Sequence, residues 1–495
     1  MTDRTVRSAL GYSFAHRYTE AALRFGLLIV LARLIEPAGF GAFAVATAVA
    51  SLLIMLCRSG PAAWIVRAGE AEAGLRTPAA VAAASCALAA AALWASADLI
   101  AAGAGLPRAA PLLRFYAVGL LLLPLDIVFG ALLRRRLAFA RLALIGILAV
   151  AAGGAVAVAL AARGFAETAL AAGAVTEGAV LALGCLIAGR GDVSRLGRGG
   201  GPLRAVLLFG ARVGGGNVLA DLGRLAAPLV IGASLGAAPA GLYDRAARVV
   251  MIFGDLVMNA VRPVVLPSLA AARRAGAPLA DAYLFKIAAL SLIAWPFFAA
   301  LAVAAEPVVL LLLGPNWTEA VPLVRLACLL GLALPFYETD NAFLIAAGRE
   351  RALLRIQLVA QSAGLIGLVI GARDGVAAAL LGLAFGQVAR GVLSSLALGA
   401  SFNVPISRQL AASGASAGIA ALVAATAAAF TLWGTPDHWL ARFALLAATG
   451  TACAGVLTVG IFVLRHPARG EVRLLLSSAG RLFLRDRNGA DSGGH

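Results

Sequence analysis

Residues 142–162 read LALIGILAVAAGGAVAVALAA, twenty-one residues without a polar side chain, with Arg141 before them and Arg163 after. A helix that crosses a bilayer needs roughly 20 mostly apolar residues. In lipid the backbone of such a segment must satisfy its own hydrogen bonds, so the stretch reads as a membrane-spanning helix. Composition extends that reading to the whole chain. Of 495 residues 62% are hydrophobic and 13% are charged, against about 45–50% apolar and about 25% charged in soluble domains.

Working outward, the pattern predicts an all-α polytopic membrane protein of about fourteen transmembrane helices. They fall near 9–34, 37–56, 79–102, 111–132, 141–162, 167–188, 204–235, 245–267, 284–305, 321–346, 351–371, 375–399, 409–433 and 439–464. The first and seventh are the least apolar and rest partly on their neighbours. The Gly-rich stretch Gly189 to Gly201 is the natural linker. The expected organisation is an N-terminal lobe over 1–190, a C-terminal lobe over 191–400, two additional helices over 401–464 and a basic tail over 465–495.

A net charge of +17 would suggest nucleic acid in a soluble protein. Here Lys286 is the one lysine among 41 basic residues, and the arginines cluster in short stretches between apolar runs. That is the positive-inside pattern, and no nucleic-acid partner is expected. With the N-terminus inside, the cytoplasmic segments hold Arg58, Arg67 and Arg76, then Arg134, Arg135, Arg136 and Arg141, then Arg190, Arg195, Arg198 and Arg204. Arg349, Arg351 and Arg355 follow, and the tail is basic; the outside loops keep chiefly Arg108, Arg163 and Arg373. Both termini are therefore expected in the cytoplasm of a bacterial cell, with the chain in the inner membrane. Val472 to Arg487 reads either as a segment lying on the anionic inner leaflet or as a disordered basic end.

Several chemistries leave no trace. Cys57, Cys86, Cys185, Cys328 and Cys453 stand singly, without CxxC spacing, so neither a metal site nor a redox pair is expected. No cleavable signal peptide is visible. No P-loop occurs, since Lys286 sits in Phe-Lys-Ile-Ala, and no GxSxG, HExxH or DxD cluster occurs either. No cofactor and no enzyme activity are expected. Asn316-Trp317-Thr318 matches a glycosylation acceptor by chance.

The chain repeats itself. Arg24 to Phe43 realigns with Arg224 to Tyr243 at an offset of 200 without gaps, pairing Arg24 with Arg224 and Gly41-Ala-Phe43 with Gly241-Leu-Tyr243. Two pseudo-symmetric lobes around a central cavity would follow, a transporter plan that puts the substrate between repeats. Polar stripes recur at the same places. Arg17, Glu20 and Arg24 share one face of the first span; Asn217, Asp221 and Arg224 share one face of the seventh. Charges within spans are costly and usually face a cavity or a partner. Two readings stand together: the stripes line a cavity, or Glu20–Arg24 and Asp221–Arg224 neutralise each other so that the helices insert. Arg212 and Arg248 add positive charge nearby, and Arg58, Arg212 and Arg262 read equally well as interface anchors. Asp126, Glu177, Asp255, Glu338 and Asp340 are further acids within spans, each either a helix–helix partner or a carrier of a coupling proton. The candidate substrate-binding set is thus Arg17, Arg24, Arg212, Asn217, Arg224 and Arg248, with Glu20 and Asp221 as ion-coupling candidates. Arginine binds phosphate bidentately and stays charged when desolvated, so a cationic cavity suits a diphosphate-bearing lipid.

Leu31-Ala-Arg33-Leu-Ile-Glu-Pro-Ala-Gly-Phe40-Gly resembles the opening of bacterial polysaccharide exporters of the Wzx and WzxC type. Ile231-Gly-Ala-Ser-Leu-Gly236 with Gly241-Leu-Tyr243, then Leu313-Gly-Pro-Asn-Trp317, Ala320-Val-Pro-Leu323 and Ala346-Ala-Gly348-Arg, resemble later parts of the same family in the same order. The likeness covers residues 8 to 400 or so. It places the chain beside the multidrug/oligosaccharidyl-lipid/polysaccharide exporter superfamily. It implies a fourteen-helix, two-lobed fold with a V-shaped cavity, and ion-driven alternating access that carries undecaprenyl-diphosphate-linked repeat units. Membrane lipids and a polysaccharide polymerase with its co-polymerase are the implied partners. Family members often carry an Asp where this chain has Ala227, which leaves a polar role at that position unfilled. Three rivals remain: a multidrug extruder, whose cationic substrates fit arginine stripes poorly; a lipid II flippase; and an O-antigen polymerase or membrane glycosyltransferase, which would need a large outer loop. No outer loop here exceeds roughly twenty residues.

Reporter fusions test the orientation. Fusions after Arg195 and after Arg469 should read cytoplasmic and one near Trp317 periplasmic. A cytoplasmic signal near Trp317 reverses the assignment.

Overall fold

The computed structural model describes residues 3–67, 75–197, 199, 201–253, 279–432, 436, 438–464 and 466. Within these, the side chains of 3–18, 167, 194, 195, 197, 212–222, 224, 252 and 253 are outside the description. Among the described residues the chain is helical, without strands. The helices are α1 (Asp3–Leu34), α2 (Pro37–Arg67), α3 (Arg76–Gly103), α4 (Ala109–Arg135), α5 (Phe139–Ala162), α6 (Ala166–Gly189), α7 (Leu203–Leu235) and α8 (Ala237–Phe253). Then follow α9 (Leu279–Val303), α10 (Ala305–Leu312), α11 (Ala320–Leu332), α12 (Leu334–Ala346), α13 (Glu350–Gly371), α14 (Val376–Phe402), α15 (Ile406–Thr431) and α16 (Trp439–Val463).

Ten of the described helices are long and apolar enough to cross a membrane, and α11 with α12, meeting at 43°, makes an eleventh if counted as one broken span. Helices α1 and α7, with 32 and 33 residues, also have the length at about 1.5 Å per residue, and they are the two that carry the charged stripes. The eighth expected span begins as α8, and its remainder, with Asp255 and Arg262, lies outside the described residues.

Two compact units divide the chain. The first comprises Met1–Leu256, Leu312–Leu323 and Gln361–Gly386; the second comprises Val257–Leu311, Val324–Ala360 and Gln387–His495.

Small residues set the spacing in the first unit. A β-carbon at Gly41 of α2 would collide with the carbonyl of Ala237, and one at Gly241 of α8 would collide with the carbonyl of Pro37. These two contacts are related by the offset of 200, since Pro37 corresponds to Ala237 and Gly41 to Gly241. Reciprocal contacts of this kind are the mark of a two-fold relation. The sequence repeat is therefore a packing repeat as well. Gly60 of α2 and Gly210 of α7 meet in the same way, a β-carbon on either lying within 3 Å of the other's Cα (2.7 and 2.9 Å). Between α7 and α8 the chain turns at Gly236, whose φ of 97° a side chain rarely adopts.

In the second unit, Tyr283, Ile287, Phe343, Leu344, Ile356 and Leu398 form one buried cluster. A second buried cluster joins Leu292 of α9, Ile419, Val423 and Ala427 of α15, and Cys453 and Ile461 of α16.

The crossing makes a direct prediction. Gly241→Val should force α2 and α8 apart and cost about 1–3 kcal/mol or more, read as a lowered melting temperature of the purified protein. Gly178→Ala, at a position with open space around it, should leave the melting temperature unchanged or raise it slightly, because alanine is the better helix former. Equal behaviour of the two variants would remove the crossing as a constraint.

Candidate functional site

Arg24 is the centre of the polar cluster in the first unit. Its Nε donates to Glu20 Oε1 at 2.9 Å, one turn back on α1. Its Nη2 donates to Glu177 Oε1 at 2.6 Å and its Nη1 to Oε2 at 3.4 Å. A two-pronged guanidinium–carboxylate pair of this form joins α1 to α6. Glycines bring the helices within reach. A β-carbon at Gly153 of α5 would press on Glu177 Cβ at 2.8 Å, and one at Gly173 of α6 would lie 2.7 Å from the Gly153 carbonyl oxygen. Gly154 accommodates Leu27 of α1 in the same crossing. The Arg24 side chain nevertheless remains 50% exposed, and the carboxylates of Glu177 and Glu20 remain 31% and 28% exposed. A charged side chain half open to its surroundings in the middle of an apolar bundle needs water beside it, since hydrocarbon would not tolerate it.

A second group of charges stands on α8. Asp244 pairs with the adjacent Arg245 and, at 3.8 Å, with Arg248 one turn on. Arg245 is buried, with its guanidinium 4.3 Å from the ring centroid of Phe40. Phe40 meets Trp317 edge-on at 5.4 Å. Trp317 is fully buried and donates its indole N–H to the carbonyl of Ala32 at 2.9 Å, closing the turn between α1 and α2. Arg248 stays about half exposed. Tyr116 of α4 is buried, with its hydroxyl sharing a 2.8 Å hydrogen bond with Thr47 of α2. The charges of Arg248, Asp244 and Glu177 all act on that hydroxyl. Arg24 pairs across α1 and α6, and Arg248 stands with Asp244 on α8.

The remaining sequence candidates are placed as follows. The side chains of Arg17, Arg212, Asn217, Asp221 and Arg224 lie outside the described residues. Their helices are continuous, so α7 keeps Asp221 and Arg224 three residues apart on one turn. Arg58 donates to Asp126 at 2.5 Å, and Asp126 is buried at the start of a single π-helical turn, Asp126–Gly130, that follows Pro124. Arg58 is therefore a helix–helix partner. Asp340 is held by Arg390 and Ser394 in the second unit. Sequence reading passed over Thr47, Tyr116, Asp244 and Arg245. Asp244 and Arg245 were visible as a charged pair directly after the repeat motif, but Thr47 and Tyr116 give no signal along the chain.

Comparison with known proteins is consistent with this architecture. The chain is 29% identical over 382 residues to the succinoglycan biosynthesis transport protein ExoT of Rhizobium meliloti (strain 1021), covering 75% of each. Its fold is similar to the lipid II flippase MurJ in an inward closed conformation, with a TM-score of 0.70 at 13% identity, over 91% of this chain and 99% of that one. It is also similar to an inward-facing multidrug resistance MATE transporter of the MOP superfamily, with a TM-score of 0.61 at 16% identity, over 77% and 95% of the two chains. Residues 30–322, more than half of the chain, match the model of a family described as polysaccharide biosynthesis protein, and the chain belongs to that family.

Proposed function

We propose that this protein carries undecaprenyl-diphosphate-linked oligosaccharide repeat units across the bacterial inner membrane, by ion-coupled alternating access, for the synthesis of an exopolysaccharide or O-antigen. Both termini are cytoplasmic in this reading, and a polysaccharide polymerase and co-polymerase receive the product. The observation that carries the reading is the half-open Arg24 network. Its guanidinium is already held in the two-pronged geometry that a phosphate accepts, by carboxylates that solvent reaches. A diphosphate can replace Glu177 as the partner of Arg24. Arg224, at the corresponding place in the repeat, is the proposed second ligand, and Arg248 adds charge beside Tyr116. The succinoglycan transport relative supports a sugar substrate on the polysaccharide branch. The MurJ-like fold keeps a lipid II-type peptidoglycan precursor as the second reading, with the same diphosphate chemistry.

Vesicles containing the purified protein and a fluorescent undecaprenyl-diphosphate-linked disaccharide test this, with membrane-impermeant dithionite reporting which leaflet holds the label. Wild-type protein should equilibrate the label between leaflets. Arg24→Ala and Arg224→Ala should slow this about tenfold or more, the equivalent of losing one charged hydrogen bond. Arg24→Lys should keep part of the rate, because the charge survives and the planar fork does not. Alanine variants that fold and translocate at the wild-type rate would reduce the arginines to structural partners of the acids.

Energy coupling is a separate expectation. In ATP-free vesicles an imposed ion gradient should drive the label into one leaflet, and an uncoupler should abolish that asymmetry while equilibration continues. Strict ATP dependence of the purified protein would reject it.

A further inference from the structure

The second unit contains a charge that the substrate chemistry does not use. Of 41 basic residues Lys286 alone is a lysine, and it lies buried in the middle of α9. Its ammonium donates to the carbonyl oxygen of Pro335 at 2.9 Å. It also faces the ring of Tyr283 at 5.2 Å and that of Phe343 at 5.8 Å. Pro335 follows Leu334 beside the 43° elbow between α11 and α12, in a short helical turn, Leu334–Tyr337, that ends at Glu338. Helix ends leave carbonyls without partners along the helix, and α9 supplies donors to two of them. Trp295 donates its indole N–H to Leu332 at 3.1 Å, and Lys286 takes Pro335. Gly331 lets Phe298 of α9 lie against the elbow where a β-carbon would collide with its ring.

Beyond the elbow, α12 is interrupted at Glu338 and Thr339, between its turns Leu334–Tyr337 and Asp340–Ala346. Thr339 has a left-handed backbone, φ 62°, and its hydroxyl is buried with no hydrogen-bond partner among the described residues. A non-glycine residue held there by its surroundings is typical of segments that change conformation. The carboxylate next to it is committed elsewhere. Asp340 is fully buried and accepts from Arg390 at 2.8 and 3.3 Å and from Ser394 at 2.7 Å, while the Arg390 guanidinium covers Tyr337 at 5.2 Å. Charges that act on Lys286 come from Asp340 and Glu338 on α12 and from Arg390 on α14. From α15 the neutral Gln409 accepts the Tyr283 hydroxyl, and His466 bonds Ser416 of the same helix.

We propose that Lys286 is the proton-coupling site of this protein, and that its protonation state sets the elbow between α11 and α12. Arginine stays charged inside proteins, whereas a buried lysine gives up its proton readily. The Asp340–Arg390 pair is neutral as a unit and keeps its counter-charge in contact. Lys286 binds a carbonyl and two rings instead, so it is the charge in this cluster most easily given up. The step is the loss of one proton from the ammonium to water, leaving a neutral amine. That loss removes both ring attractions and weakens the bond to Pro335, which frees the elbow; regaining the proton restores it. This inference rests on the transporter reading for its use, but the site can be tested without transport.

Because the chain has one lysine, protein grown on lysine labelled with nitrogen-15 at the side chain gives one Nζ signal without assignment. In nanodiscs that signal should pass between the charged and neutral positions across the pH range in which vesicle transport is measured. A signal that keeps one charge state throughout overturns the proposal, whatever the vesicles do. In the vesicles, an imposed pH gradient should drive the fluorescent lipid-linked disaccharide into one leaflet, and reversing the gradient should reverse the asymmetry. Lys286→Arg, fixed as charged, and Lys286→Met, fixed as neutral, should lose the asymmetry while whichever of them remains folded still equilibrates the label. Gradient-driven asymmetry that survives in a folded variant overturns the proposal. A wild-type protein that moves no label while Nζ titrates counts against the transporter reading, and with it the coupling role, but leaves the lysine as a proton site.

Discussion

The approach of α2 and α8 at Gly41 and Gly241 is the contact on which the first unit depends. Each glycine lies against the carbonyl of the residue that corresponds to the partner's own helix start, Ala237 for Gly41 and Pro37 for Gly241. No side chain fits there, so backbone meets backbone and the two helices cross at a fixed point. Lipid gives no hydrophobic drive for helices to associate, and close packing through small residues supplies the missing attraction. The polar contacts of α2 and α8 are positioned from that crossing. Phe40, one residue before Gly41, receives the Arg245 guanidinium, and Thr47, two turns on, holds Tyr116. Trp317 then seals the α1–α2 corner through Phe40 and Ala32.

Charge within the bundle follows one rule with different degrees of openness. Asp126, Glu177, Asp244 and Asp340 each have an arginine as partner. An acid and an arginine with complementary forks satisfy each other's donors and acceptors, which lowers the penalty of burial. The pairs differ in openness. Asp340 is sealed, with a third bond from Ser394, and suits a fixed internal strut. Glu177 and Arg24 stay partly exposed, and an ion pair with water beside it can exchange one partner for a ligand at small cost.

Most of the helical framework was legible in the sequence because spans are set by hydropathy and length, which are local. The stretch at 142–162 falls within α5, and the charged stripes fall on α1 and α7. The offset of 200 was also readable, because the glycine that permits a close crossing must recur wherever the crossing recurs. Partners across helices were not readable. Arg24 and Glu177 are 153 residues apart, and Trp317 meets Ala32 across 285. Helical periodicity tells which face a residue occupies but not which helix lies opposite. The same limit hid Thr47 and Tyr116, an ordinary apolar-face pair in any one-dimensional reading. The broken span at α11 and α12 read as a single helix over 321–346 because a proline within an apolar run leaves the hydropathy unchanged. Only the geometry reveals that the helix stops at Leu332 and restarts at Leu334.

The choice of cation separates Lys286 chemically from the arginines in both units. A group that must hold a diphosphate needs to stay charged whether or not water is excluded, and arginine meets that need because its guanidinium does not lose its proton in proteins. Arg24 and Arg248, proposed ligands in the first unit, have this property. A group that must carry a proton needs the opposite property. Its charge has to be conditional, and its surroundings must register the change. The chain's one lysine has neutral contacts at an elbow, where the carbonyl it bonds belongs to a helix that has already broken its own hydrogen-bond ladder. Exchanging the two residue types would defeat both purposes. A lysine at position 24 would lose the second prong to Glu177, and an arginine at position 286 could not give up its charge. The distribution of 40 arginines and a single lysine, 41 basic residues in all, is the pattern expected when permanent charge is the rule and a releasable charge is wanted in one place.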